Sequence, residues 1–185
     1  MENENPQRLD VDARTIQHAL EGDQSALAHI YDTYAKPIYR YHFSRVGNAP
    51  DAEDLTAQTF LAVIESLASY QHRDRFTAWI FQIARNKVMD HFRRDHGHGD
   101  IPESVADPAQ GDVLEAVVRD ESRSRLKSLI HLLDEDEREL IRLRYTAELS
   151  FVEIAQLLGR KEDAVRKATR RILDRLSIQM EAQNA

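Results

Sequence analysis

No cysteine occurs anywhere in the 185 residues. That absence excludes disulfides, thiolate zinc sites and cysteine nucleophiles, and it fits a reducing compartment. Long apolar runs are missing as well. No stretch approaches the ~18 consecutive apolar residues of a membrane span. The opening MENENPQRLD is acidic and polar, unlike a secretory signal. These features predict a cytoplasmic protein without membrane insertion. Positive charge is not in excess either: 25 Lys and Arg stand against 32 Asp and Glu, a net charge of −7. No run alternates in the manner of a strand. Neither a Ser/His/Asp arrangement nor a Gly-rich phosphate loop is present, so no catalytic residue and no cofactor is expected.

What is present is 42% apolar, enough to build a core. The few glycines and prolines are unevenly placed. Gly97, Gly99, Pro102, Pro108 and Gly111 fall in one segment poor in large apolar residues, which reads as a linker. Around it the chain divides into a first unit over residues 1–96, an acidic linker over 97–121 and a second unit over 122–185. The linker's composition predicts that the two units move apart when no partner is bound. Both flanks show helical spacing. Ile16, Leu20, Leu27, Ile30, Tyr31 and Tyr34 recur in the first, interrupted at Gly22–Asp23. The stretch from Gly47 to Pro50 is a stop, and Asp51 then reads as the N-cap of a helix that carries Leu55, Thr59, Ala62, Val63, Ser66 and Leu67 on one face. A polar stretch from Ser69 to Asp74 precedes another helix, about Arg75 to Arg94. In the second flank, Leu126, Leu129, Ile130 and Leu133 form one stripe and Leu140, Ile141 and Leu143 the next. The class is all-α, as two small helical domains.

Charge is segregated within this acidic chain. The helix after Pro50 carries Asp51, Glu53, Asp54 and Glu65 and no cation, whereas Arg73–Arg94 and Arg160–Arg175 are rich in Arg and Lys. Two basic helices on an acidic body suit two phosphate contacts with little non-specific binding. Residues 150–176 add a specific layout. Ser150 and Glu153 make a capping-box pattern, Gly159 ends a short helix, and a basic helix follows. A short Gly-containing turn between two helices is the helix-turn-helix plan, in which the start of the second helix meets base edges. Val165, Ala168, Ile172 and Leu176 would point inward. Arg166, Lys167, Arg170 and Arg171 would face DNA.

These residues resemble the fourth conserved region of bacterial sigma factors of the extracytoplasmic-function group. Phe151, Glu153, Ile154, Ala155, Leu158 and Gly159 match that group's first helix, and Leu133, Glu137–Glu139 and Leu143–Tyr145 match the segment before it. Upstream, Asp51–Thr56 with Thr59 and Phe60 resembles the core-polymerase-binding helix of the second region. Phe76, Ala78–Phe81 and Ile83–Asn86, with Asp90–Arg94, resemble its promoter-melting helix. The resemblance implies a non-catalytic initiation factor that binds core RNA polymerase and promoter DNA and opens the duplex. It implies core-polymerase binding by Asp51, Glu53, Asp54, Thr59 and Phe60. It implies minus-ten contacts from Tyr70, Gln71, His72 and Arg73 in a base-reading loop, and from Arg85, Asn86, Lys87 and Arg93. It also implies minus-thirty-five contacts by Arg166, Lys167, Arg170 and Arg171, and an anti-sigma factor as partner. The chain departs from the family at Lys161, Asp163 and Ala164, where a Ser cap and a Gly–Thr pair are usual. The N-cap of the recognition helix would then shift to Asp163 or be lost.

Two rival readings remain on the residues alone. A helix-turn-helix repressor or activator would bind promoter DNA without polymerase. A metal-dependent helical hydrolase would use the crowd of Asp90, His91, Asp95, His96, His98 and Asp100. That crowd lies partly in the linker with no evident supporting shell, so no metal site is expected.

Overall fold

The computed structural model describes residues 9, 11–71, 75–95 and 124–182. The described residues form eight α-helices and no strand, as the spacing predicts. In the first half, α1 is Ala13–Leu20, α2 is Gln24–Val46, α3 is Ala49–Ser66 and α4 is Phe76–Asp95. In the second, α5 is helical over 124–131, α6 is Glu135–Ile141, α7 is Phe151–Leu158 and α8 is Glu162–Ala182. The linker expected over 97–121 lies outside the described residues.

Local chemistry sets the boundaries. Asp12 caps α1, accepting from the Thr15 amide at 2.7 Å, and Asp23 caps α2 through Ser25 at 2.8 Å. Gly47, with φ of 76°, takes the left-handed conformation that closes α2. The cap of α3 is not Asp51 as expected. Asn48 accepts from the Asp51 amide at 2.9 Å, and Asp51 sits in the first turn beside Pro50. Pro lacks an amide hydrogen and fits that turn, so the helix starts earlier than the aspartate suggested.

Tyr34, Ile38, Leu55, Ile80, Phe81 and Val88 form the centre of the first half, each at most 1% exposed. The Tyr34 hydroxyl is satisfied there, 2.8 Å from Thr77 Oγ1 and 3.1 Å from the Leu9 carbonyl. In the second half Leu140, Leu143, Leu149, Ile154, Val165 and Ile172 close together around α6, α7 and α8. The end of α6 widens into a π-helical turn over Arg142–Thr146, a feature with no periodic signature in the sequence.

The two halves are in contact, contrary to the separation that the linker composition predicts. Helix α4 packs on α7, and α2 packs on the π-turn. Charged side chains bridge the contact. Arg40 of α2 donates to Glu148 at 2.5 Å, Arg45 pairs with Glu135, and Arg85 of α4 donates to Glu139 of α6 at 2.8 Å.

Candidate nucleic-acid and polymerase interfaces

Helix α3 separates its expected polymerase residues into two groups. Glu53 and Asp54 are exposed and Asp51 is half-buried. Thr59 and Phe60 are core residues instead. The Thr59 hydroxyl donates to the Leu55 carbonyl at 2.8 Å, and the Phe60 ring lies 4.7 Å from that of Tyr31. The surface that remains has an apolar part the sequence reading missed. Leu61 is 58% exposed, Ile64 56% and Tyr31 52%. Tyr31 falls within the stripe that helical spacing assigns inward, and Leu61 and Ile64 lie off the face marked by Leu55, Thr59, Ala62, Val63, Ser66 and Leu67.

Tyr70 is likewise buried, its ring 5.3 Å from Phe76 and 5.0 Å from Trp79. It supports the start of α4, its hydroxyl accepting from the Arg75 amide at 3.3 Å. Gln71 is exposed, while His72 and Arg73 lie outside the described residues. On α4 itself, Asn86 is exposed and accepts from Gln82 at 3.0 Å, Lys87 is half-buried, and Arg93 is exposed and paired with Asp90 at 3.1 Å. Arg85 faces the second half rather than solvent.

Around Arg85 the structure assembles a polar centre that no sequence motif announced. Glu139 Oε1 accepts from Arg85 Nε at 2.8 Å and from the Tyr41 hydroxyl at 2.9 Å. Arg45 Nη1 lies 3.5 Å from Glu139 Oε2. Burial, followed by the negative charge of Glu139, pushes the Tyr41 phenol far up, so it stays a neutral donor. Burial works against the charge of nearby Glu135. The guanidinia of Arg142 and Arg45 outweigh it and hold that carboxyl below its usual range. Partners 54 and 98 positions apart leave no local trace in the chain.

The helix-turn-helix forms where expected. Ser150 and Glu153 close a capping box, with bonds of 3.3 and 2.7 Å. Gly159 ends α7 at φ of 63°, and Val165, Ala168, Ile172 and Leu176 are buried. At the start of α8 the side-chain cap is lost rather than shifted to Asp163. The Lys161 carbonyl accepts from the amides of Ala164 and Val165 at 3.0 and 3.1 Å, so Lys161 holds the cap position. Its side chain has no acceptor to offer. Glu162 and Asp163 fill the first turn, where their charges oppose the helix dipole. Arg166, Lys167, Arg170 and Arg171 are all exposed. Arg166 is also restrained, bonded to Glu162 at 2.5 Å, with its guanidinium 4.8 Å above the Phe151 ring. Arg144 lies 4.5 Å from that ring on the inner side.

Among the described residues no group of three or more His, Asp or Glu could hold a metal ion, and no helix is long and apolar enough to cross a membrane. Of the metal candidates weighed above, His96, His98 and Asp100 lie outside the described residues.

Residues 30–97 match the family Sigma-70 region 2, and residues 122–177 match Sigma-70, region 4. The ECF RNA polymerase sigma factor BldN of Streptomyces coelicolor is 30% identical over 155 residues, covering 82% of this chain and 59% of BldN. The chain therefore spans rather more than half the length of that relative. The ECF RNA polymerase sigma factor SigD of Mycobacterium tuberculosis is 32% identical over 180 residues, 92% of this chain and 82% of SigD. A solved structure of CnrH in complex with the cytosolic domain of CnrY is similar, with a TM-score of 0.65 and 25% identity, covering 94% of this chain and 99% of that one. A region 2 half carrying the acidic helix, followed by a region 4 half carrying the helix-turn-helix, places the chain in the extracytoplasmic-function family of RNA polymerase sigma factors, whose members are non-catalytic.

Proposed function

We propose that the chain binds core RNA polymerase in the cytoplasm, directs it to a promoter and opens the duplex there. The observation that carries this reading is the exposed basic face of α8, with Arg166, Lys167, Arg170 and Arg171 held outward by four buried apolar residues. It follows a region 2 half in the order the family requires. The division of labour takes residues 1–96 for polymerase and the minus-ten element and residues 122–185 for the minus-thirty-five element, with 97–121 joining them. On α3, Glu53 and Asp54 supply charge, and Leu61 and Ile64 supply the apolar contact that a stable protein interface needs at its centre. On α4, Asn86, Lys87 and Arg93 contact the minus-ten region. An anti-sigma factor is the proposed second partner, since CnrH is held by the cytosolic domain of CnrY.

Run-off transcription with purified core polymerase on fragmented genomic DNA tests the reading. Discrete transcripts that require the chain are expected. Binding of promoter DNA by the chain alone, with no affinity for core enzyme, would assign it to helix-turn-helix regulators instead.

A further inference from the structure

The contact between the halves centres on one carboxylate. Glu139 is 6% exposed and receives Arg85 Nε and the Tyr41 hydroxyl on one oxygen. Its other oxygen is buried with no hydrogen bond, and so is Arg45 Nε beside it, among the described residues. Two donors of the first half therefore converge on an anion, and Arg45, whose Nη1 lies 3.5 Å from the other oxygen of that carboxylate, keeps its Nε without a hydrogen bond. A carboxylate has two oxygens in a fork. A backbone phosphate presents a similar fork of two anionic oxygens, and an arginine fork matches either group. A cleft of 360 Å³, lined by Tyr41, Arg45, Arg85 and Glu139, opens beside the contact.

We propose that Tyr41, Arg45 and Arg85 form a binding site for a backbone phosphate of promoter DNA, and that Glu139 occupies it in the closed chain. The inference rests on the sigma-factor reading of α4 and adds Tyr41 and Arg45 of α2 to it. Glu139 and the phosphate compete for the same donors, so DNA binding and opening of the two halves are one equilibrium. Geometry requires such opening. The elements at minus ten and minus thirty-five lie ~85 Å apart along B-form duplex, whereas α4 and α7 are in direct contact here. Buried charges left partly unsatisfied make the closed contact easy to exchange.

The test uses the full chain, which has no native cysteine to interfere. Donor and acceptor dyes on Gln17→Cys and Ser177→Cys report the separation of the halves by energy transfer. A fluorescent single strand of about 20 random nucleotides reports DNA binding by anisotropy. Glu139→Gln keeps the shape and removes the charge. It should lower energy transfer and raise affinity for the strand roughly ten-fold, about the worth of one charged hydrogen bond. Adding Arg45→Gln and Arg85→Gln should abolish that gain. In the dye-labelled chain without these changes, titration with the strand should itself lower energy transfer. Unchanged affinity in Glu139→Gln, a gain that survives loss of both arginines, or DNA binding with constant energy transfer would each overturn the phosphate site. Neither measurement involves polymerase, so these failures stand apart from a failure of run-off transcription.

Discussion

His42 is fully buried, its ring 3.1 Å from Thr56 Oγ1 and 3.4 Å from the Ala84 carbonyl. Burial lowers its pKa from 6.5 to about 4. As pH falls, the unfolded chain therefore takes up this proton first. Its contribution is whole above pH 6.5 and is lost as pH drops toward about 4, to a total of about 3 kcal/mol. Urea unfolding at about pH 7 and about pH 5 should show this loss. His42→Asn should be less stable at the higher pH and should show a smaller drop between the two, since only one titrating group differs. Equal drops in both proteins would remove His42 as the cause. Ser150 makes a second residue-level case. Its side chain and that of Glu153 satisfy two amides at the start of α7. Ser150→Ala should cost about 1 kcal/mol and Ser150→Asp much less, read from thermal unfolding.

At the scale of the helix, α8 is read from its buried stripe. Val165 and Ile172 are fixed inward, which turns Arg166 and Arg170 outward, the face proposed to meet the groove. Arg166 stands at the start of the helix, pre-positioned by Glu162 and Phe151, and suits base reading, worth ~1–3 kcal/mol of discrimination. Arg171 lies further along and suits phosphate. Binding of each holoenzyme to a library randomised over the upstream element, at two salt concentrations, separates these roles. Arg166→Ala should relax the preferred sequence, and Arg171→Ala should weaken all sequences and reduce the salt slope by about one. An unchanged preference in Arg166→Ala removes its assigned role. On α3, Glu53→Lys with Asp54→Lys should weaken binding to core polymerase without loss of helicity, because both side chains are exposed. Helices such as α7 and α8 were legible because their signals are local: a cap three residues from its partner, a glycine at the stop, apolar residues at helical spacing. Asn48 was missed because Asp51 is an equally good cap by type and only the backbone decides between them. Tyr70, Thr59 and Phe60 were assigned to interfaces by motif, whereas neighbouring rings and an intrahelical hydrogen bond bury them. The centre at Glu139 was illegible, since its partners come from distant helices.

For the whole molecule, the linker and the contact make separable contributions. Limited proteolysis should cut first between Gly97 and Glu121, because the flanks are packed helices and exposed polar segments are cut preferentially. After cleavage, the fragments should co-elute in size exclusion at low salt and separate at high salt, since the carboxylates of Arg40–Glu148 and Arg45–Glu135 are half-exposed to screening ions. First cleavage within α2 or α8 would contradict the boundary. The composition of this contact also governs how the molecule answers temperature. Unfolding either half hydrates Ile, Leu and Phe side chains and raises the heat capacity, so fold stability bends into a dome with a warm and a cold limb. Parting the halves hydrates the carboxylates and guanidinia of Arg40–Glu148, Arg45–Glu135 and Arg85–Glu139 together with the apolar residues where α4 meets α7, and polar and apolar surface change heat capacity in opposite directions. The two contributions offset, so closed and open forms should exchange along a van 't Hoff line straighter than the curved stability of either half.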